Sequence, residues 1–215
     1  MRKPLLSLAA AALALLAGCT AAPRLPSITL PSMPEISFPT VAPIDLPSGR
    51  AVIESAELLP ASDIKVAERG ATPAGAITPA MPQRCKVLGR IAARDSKAPA
   101  IQFQINLPVR WNGRSVQYGG GGFNGVLISG EALVPAARFD QPSPLAQGYV
   151  TYGTDSGHQT RPGEPPQAFA MNDEALVNFA HASYKKVRDV AVAVMKRTYG
   201  QAPRKMYFVG SVRCV

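Results

Sequence analysis

Cysteine and histidine are scarce in this 215-residue chain. Three cysteines (Cys19, Cys85, Cys214) and two histidines (His158, His181) are all it has. That is too few for a disulfide scaffold, and the spacing excludes a zinc knuckle or a His/Cys ligand set. The apolar stretch Leu5–Ala17 falls short of the about 20 residues that a membrane-crossing helix needs. Charge is thin, at 17% of residues, with Lys+Arg 23 against Asp+Glu 14 and a formal net charge of +9. No basic cluster is interleaved with aromatics, so the surplus reads as a solvated surface and not as a nucleic-acid footprint. What the chain does have is apolar residues, 47%, enough for a core and against global disorder. It also has 21 prolines, about twice the average share, and they are clustered.

The first residues, MRKPLLSLAAAALALLAGC, carry Arg2 and Lys3 ahead of the uncharged Leu5–Ala17. This is the pattern of a secretory signal. Its end, Leu16-Ala17-Gly18-Cys19, resembles the bacterial lipobox, which implies cleavage before Cys19 and acylation of that residue. Two or three acyl chains, at about 0.8 kcal/mol per buried CH₂, make a stable anchor. Thr20 in place of Asp resembles the sorting signal for the outer membrane, facing the periplasm or the outside. An ordinary signal peptide with an accidental cysteine is the alternative.

Prolines at 23, 26, 31, 34, 39, 43 and 47 follow. Each lacks an N–H and restricts the residue before it, so residues 19–49 read as an extended tether, about 90 Å at about 3.1 Å per residue. Residues 50–83 read as an irregular segment, with a short helical pattern around Val52–Leu59.

From Arg84 the periodicities are those of an α/β domain, residues 84–211. Cys85–Ala92 alternates loosely. Ile101, Phe103, Ile105 and Leu107 alternate strictly and predict a half-buried strand. The two form an antiparallel pair across the Asp95–Pro99 turn. Ser115–Tyr118 and Tyr149–Tyr152 are short strands. Asn172–Tyr199 is helical, with Leu176, Phe179, Ala180, Tyr184, Val187, Ala191, Val194 and Met195 at helical spacing. Asn172 or Asp173 suits its start, and Gly200 its end. Met206–Val209 is a continuous apolar run, which predicts a buried, central, parallel strand.

After the third of these strands comes Gly119-Gly-Gly-Gly-Phe-Asn-Gly125. It has three readings. Gly120, Gly122 and Gly125 satisfy G-x-G-x-x-G, a dinucleotide fingerprint, but Gly130 and Pro135 interrupt the helix this motif should open. A plain flexible turn is the second. The third is an oxyanion loop, whose unshielded backbone N–H groups, Gly119 and Gly120 foremost, point at a developing negative charge.

Four ordered blocks carry a family resemblance: WNGRSVQYGGGGFNG (111–125), GYVTYGTDSGH (148–158), FAMNDEALVNFA (169–180) and YGQAPRKMYFVG (199–210). They resemble the tannase and feruloyl esterase family, whose members are secreted or lipid-anchored serine esterases, often of phenolic acid esters. The resemblance implies the N-terminal portion of an α/β-hydrolase fold, with a mixed, mostly parallel and incomplete sheet. It implies no cofactor and no metal. Its partners would be an ester substrate for the intact parent and the membrane through the lipid anchor, with no nucleic acid.

The family pattern breaks at its nucleophile elbow, Gly-Cys-Ser-x-Gly-Gly. Here the text is Gly210-Ser211-Val212-Arg213-Cys214-Val215. Val212 occupies the nucleophile position, and a β-branched residue dislikes the strained conformation typical there. Ser211 falls one place early. The family's catalytic Asp and His lie further along, with its lid. Asp155 and His158 follow the fourth strand and are not that pair by position; His158 is expected to be structural. Residues 212–215 read as an aberrant tail, and the chain as an inactive fragment, the alternative being a catalytically dead envelope lipoprotein that binds a ligand or protein. Cys85 matches a family cysteine whose usual partner lies upstream; only Cys19 precedes it here, so that disulfide is not expected.

Anchoring is testable directly. Globomycin treatment of the host is expected to accumulate an unprocessed precursor, and Cys19→Ala to release the protein from membranes. Normal processing under the drug, or a membrane-bound Cys19→Ala form, would show that Cys19 is not an anchor.

Overall fold

The computed structural model describes residues 38–39, 42–66, 77–138 and 140–210. Cys19, the signal segment and most of the tether lie outside the described residues, as do Ser211, Val212 and Cys214. The described strands are β1 (Pro43–Leu46), β2 (Gly49–Leu59), β3 (Lys65–Val66), β4 (Ile77–Thr78), β5 (Arg84–Ile91), β6 (Ile101–Pro108), β7 (Arg114–Tyr118), β8 (Val150–Thr154) and β9 (Lys205–Val209). Between β8 and β9 run α1 (Asp173–Val177), a π-helical turn (Asn178–Ala182) and α2 (Ser183–Tyr199). Seven strands form one sheet in the order β1-β2-β5-β6-β8-β7-β9, while β3 and β4 make a separate small pair.

The sheet is mixed, as expected, but its balance differs from the expected one. Four of its pairings are antiparallel (β1–β2, β2–β5, β5–β6, β6–β8) and two parallel (β8–β7, β7–β9). The difference comes from the segment before Arg84, which adds two strands. Val52–Leu59 is strand, not helix, and belongs to β2, which pairs with β5 along its length. An isolated helix of eight residues is marginal in water, whereas a strand here gains a full ladder and places Ala51 and Ile53 in the core. The last part of the tether also joins the sheet. β1 begins at Pro43 and stops before Pro47, so both rings fall where an edge strand tolerates them, and Ile44 is buried.

Strand β6 is buried on both faces, not one. Ile101, Phe103, Ile105 and Leu107 enter the main core with Val87, Ile91, Val150 and Tyr152. On the opposite face Gln104 and Asn106 are buried as well. Gln104 Nε2 donates to Asn106 Oδ1 (2.9 Å), and Asn106 Nδ2 donates to the Ser129 carbonyl (2.7 Å) and Thr151 Oγ1 (3.1 Å). A buried polar row survives only when its members are paired; here it pins the segment around Ser129 to the sheet. Arg84 does the same nearby, with Nε and Nη2 both donating to Glu131 Oε1 (3.1 and 2.7 Å).

Helix α2 covers the apolar face with Val187, Val190, Ala191, Val194 and Met195. Its end is as predicted: Gly200 is left-handed at φ 71° and its N–H donates to the Lys196 carbonyl (2.9 Å). Asn172 caps α1, its side chain accepting from the Ala175 N–H (2.9 Å). The predicted inward face fails before the π turn, where Ala175 and Asn178 are buried and Leu176 and Val177 exposed. A π turn inserts about one extra residue, so the apolar spacing on its two sides is out of phase.

Strand β9 corrects a further expectation. Among the described residues it pairs with β7 alone and forms the sheet's edge, with Tyr207 45% and Phe208 51% exposed. Its apolar run suits an inner strand, and no described strand pairs with its outer edge.

Asp155, just past β8, is fully buried. It accepts from the N–H groups of Gln102 (3.1 Å) and Gly157 (2.8 Å) and from Gln159 Nε2. Burial pushes its carboxyl up to about 6 against the pull of these donors. A folded-state pKa above the unfolded one gives a stability contribution that is fully present below the ordinary carboxylate range and is lost as pH rises through about 6. Asp155→Asn removes that titration. In urea melts the wild type is expected to lose about 2–3 kcal/mol relative to the variant between about pH 3 and pH 7.5; parallel stability curves would place this carboxyl in the ordinary range.

Candidate active site at the glycine loop

The carboxyl ends of β7, β8 and β9 meet at one place, the usual location of a site in an open α/β sheet. The parallel register sets Tyr118 beside Val209. One residue further, the Gly119 N–H donates to the Val209 carbonyl (2.8 Å). The two backbones touch there: a Cβ on Gly210 would stand 2.8 Å from Gly119 Cα, and one on Gly119 would stand 2.7 Å from the Phe208 ring. Backbone contact thus requires glycine at Gly210, whereas a side chain at Gly119 would have to displace the Phe208 ring.

Beyond Gly119 the loop turns away from the strand. Gly120 is buried, and its would-be Cβ position is taken by the Asn124 amide. Gly121 and Gly122 are exposed and face open space. Asn124 sits in the left-handed region (φ 53°) and directs Nδ2 to the Thr154 carbonyl (3.3 Å) and to Ser156 Oγ (2.8 Å). Ser156, also left-handed (φ 68°), lies 3.3 Å from the Tyr184 hydroxyl, which accepts the Gly120 N–H at 3.3 Å. Two non-glycine residues with positive φ in one cluster mark a loop held in shape by its surroundings.

This geometry divides the two predicted donors. The Gly119 N–H is committed to a backbone rung with Val209, which corrects its assignment as an oxyanion donor. Gly120 remains, because its partner is a side-chain hydroxyl at the long end of the hydrogen-bond range. The loop does not open a helix: the described residues between Val126 and Tyr149 form neither helix nor strand, which leaves the dinucleotide reading without its anion-binding helix terminus. His158 is buried, with its ring stacked on Phe169 (3.9 Å between centroids) and near Phe179 (5.4 Å). That is a packed position in an aromatic cluster that also holds the half-exposed Phe123 of the loop. Cys85 is a free, buried thiol whose pKa burial raises to about 11, so it is a poor nucleophile at neutral pH.

Asn124, Ser156 and Tyr184 were not singled out by sequence. The first two stand in motif blocks, beside glycines, but nothing in their spacing announces a shared contact. Tyr184 follows the apolar helical spacing and reads as core. A cleft of about 610 Å³ is lined by Arg94, Glu174, His181 and Lys186 among others. It shares no lining residue with the glycine loop, and its Lys186 bonds Asn178 (2.9 Å) and pairs with Glu174 (3.8 Å).

Comparison with known proteins gives the family of the chain. Residues 85–213 match the family model for tannase and feruloyl esterase. An uncharacterized esterase of Agrobacterium fabrum is 41% identical over 165 residues, 77% of this chain and 27% of the relative. The mono(2-hydroxyethyl) terephthalate hydrolase of Piscinibacter sakaiensis is 33% identical over 150 residues, 66% of this chain and 24% of that enzyme. The chain therefore spans about a quarter of the length of these curated relatives. In fold it is similar to feruloyl esterase B from Aspergillus oryzae (TM-score 0.51, 23% identity, 78% of this chain and 30% of that one). It is also similar to tannin acyl hydrolase from Aspergillus niger (TM-score 0.53, 17% identity, 79% and 30%). With its ordered blocks and the family match over residues 85–213, the chain belongs to the tannase and feruloyl esterase family.

Proposed function

We propose that this chain is the N-terminal portion of a lipid-anchored carboxylic ester hydrolase acting on phenolic or aromatic acid esters, and that by itself it does not turn over an ester. The observation that carries the proposal is the contact between Gly119 and the end of β9, which sets Gly120 beside the point where the family places its nucleophile elbow.

In the intact parent the elbow serine attacks the ester carbonyl, with a histidine taking its proton, and an oxyanion forms on the carbonyl oxygen. In this reading the Gly120 N–H donates to that oxyanion, a contribution of about 3–4 kcal/mol to the transition state. Among the described residues the contribution to this chemistry is the Gly120 donor. Val212 stands at the nucleophile position, and of the two histidines His158 is stacked in an aromatic cluster and His181 is on the π turn. A hydroxyl without a base is a weak nucleophile. Anchoring through Cys19 would hold the enzyme at the cell envelope, where ester substrates arrive from outside.

Purified residues 20–215 are expected to hydrolyse neither p-nitrophenyl acetate nor methyl ferulate above background. A version continued through an uninterrupted elbow, Gly-Cys-Ser-x-Gly-Gly, and the downstream sequence of its locus is expected to hydrolyse methyl ferulate and to lose at least about 10³-fold in kcat when the elbow serine becomes alanine. Turnover by residues 20–215 that Ser211→Ala abolishes would overturn the inactive-fragment reading, and a continued version inert toward both esters would overturn the esterase reading.

A further inference from the structure

We propose that Tyr184 is a positioning residue whose hydroxyl, fixed by Ser156 and Asn124, holds the Gly120 N–H as the loop's aimed donor in the resting protein. The inference rests on Gly120 being the oxyanion donor, and goes beyond it by naming what aims it.

A buried N–H needs a partner. Gly119 finds a backbone carbonyl, but the buried Gly120 finds a phenolic oxygen at 3.3 Å. A neutral hydroxyl at that distance is a weak acceptor, and a charged oxygen, whose hydrogen bonds are roughly twice as strong, displaces it. Tyr184 thus keeps the donor oriented without competing with an oxyanion for it.

Tyr184 itself is fixed from the ends of all three parallel strands. Its carbonyl accepts Gln117 Nε2 of β7 (2.9 Å), and its ring meets Phe208 of β9 edge to face (5.4 Å, 87°). Its hydroxyl lies 3.3 Å from Ser156 Oγ past β8, and Ser156 is in turn bonded by Asn124 Nδ2 (2.8 Å). The π turn at Asn178–Ala182 ends two residues before Tyr184 and resets the helical phase so that this side chain faces the loop. Such turns concentrate at functional sites. The strained Asn124 and Ser156 are both members of the network.

Tyr184→Phe keeps the ring on Phe208 and the carbonyl bond to Gln117, and removes the oxygen alone. Amide hydrogen exchange of the 215-residue chain, read residue by residue by NMR, tests it. Gly120 is expected to exchange about tenfold faster in Tyr184→Phe, with β5 and β6 within twofold of wild type. Ser156→Ala is expected to move Gly120 in the same direction. A ring that served packing alone would leave Gly120 unchanged in Tyr184→Phe. That result, or an equal acceleration at every amide, overturns the proposal. Should Tyr184→Phe fail to fold, Ser156→Ala carries the same readout: faster exchange confined to Gly120 and its loop supports the proposal, and an unchanged Gly120 overturns it. Exchange does not depend on turnover, so a chain that never hydrolyses an ester leaves this test intact.

Discussion

Two backbones in contact at Gly119 and Gly210 set the form of the site. Parallel strands diverge at their ends as the sheet twists, and side chains at the last residues normally keep the following loops apart. Here neither partner has a Cβ. The ladder between β7 and β9 therefore gains one more rung, from Gly119 to Val209, before the chains part. Everything at the site follows from that extra rung. It removes the Gly119 N–H from chemistry, it makes Gly120 the first residue free of the sheet, and it starts the glycine loop directly above the end of β9.

The rest of the sheet serves as a frame for this corner. Its antiparallel half presents one apolar face to α2 and one polar row, Gln104 and Asn106, to the irregular segment after the loop. The polar row matters because the segment between Val126 and Tyr149 has no ladder of its own. Asn106 holds it at Ser129 and Arg84 holds it at Glu131. The glycine loop is thus bounded on one side by strand β7 and on the other by a segment tied to β5 and β6. A loop carrying four successive glycines has large conformational freedom, and only such bounds keep it in one shape.

Much of this was legible in the sequence. The strict alternation from Ile101 to Leu107, the apolar spacing from Val187 to Met195, the Asn172 and Gly200 caps and the four glycines after a short strand are all local signals, and local signals survive into the fold. What failed depended on tertiary partners. Val52–Leu59 carries both helical and strand spacings, and the ladder offered by β5 decides between them. Pro43 forbids a central strand but allows an edge, and the sequence does not say which is on offer. Leu176 falls on the wrong face because a π turn breaks the period, and no residue type in Asn178–Ala182 marks such a turn. The Gly120–Tyr184 contact joins residues 64 apart, and neither has a pattern that refers to the other.

Strand β7 precedes β8 in the chain yet lies outside it in the sheet, between β8 and β9. This order has a consequence for assembly. The hairpin of β5 and β6 closes over a short turn and can form as soon as it is made. Strand β7 follows soon after β6 but has no neighbour to join until β8, much further along the chain, has paired with β6. The cost of closing a loop of that length rises only slowly with its size, but it is borne before any parallel rung forms. Of the antiparallel frame, the β5–β6 hairpin rests on a short connection and needs no later strand. The corner that carries the glycine loop comes last, when β8, α2 and β9 are all in place.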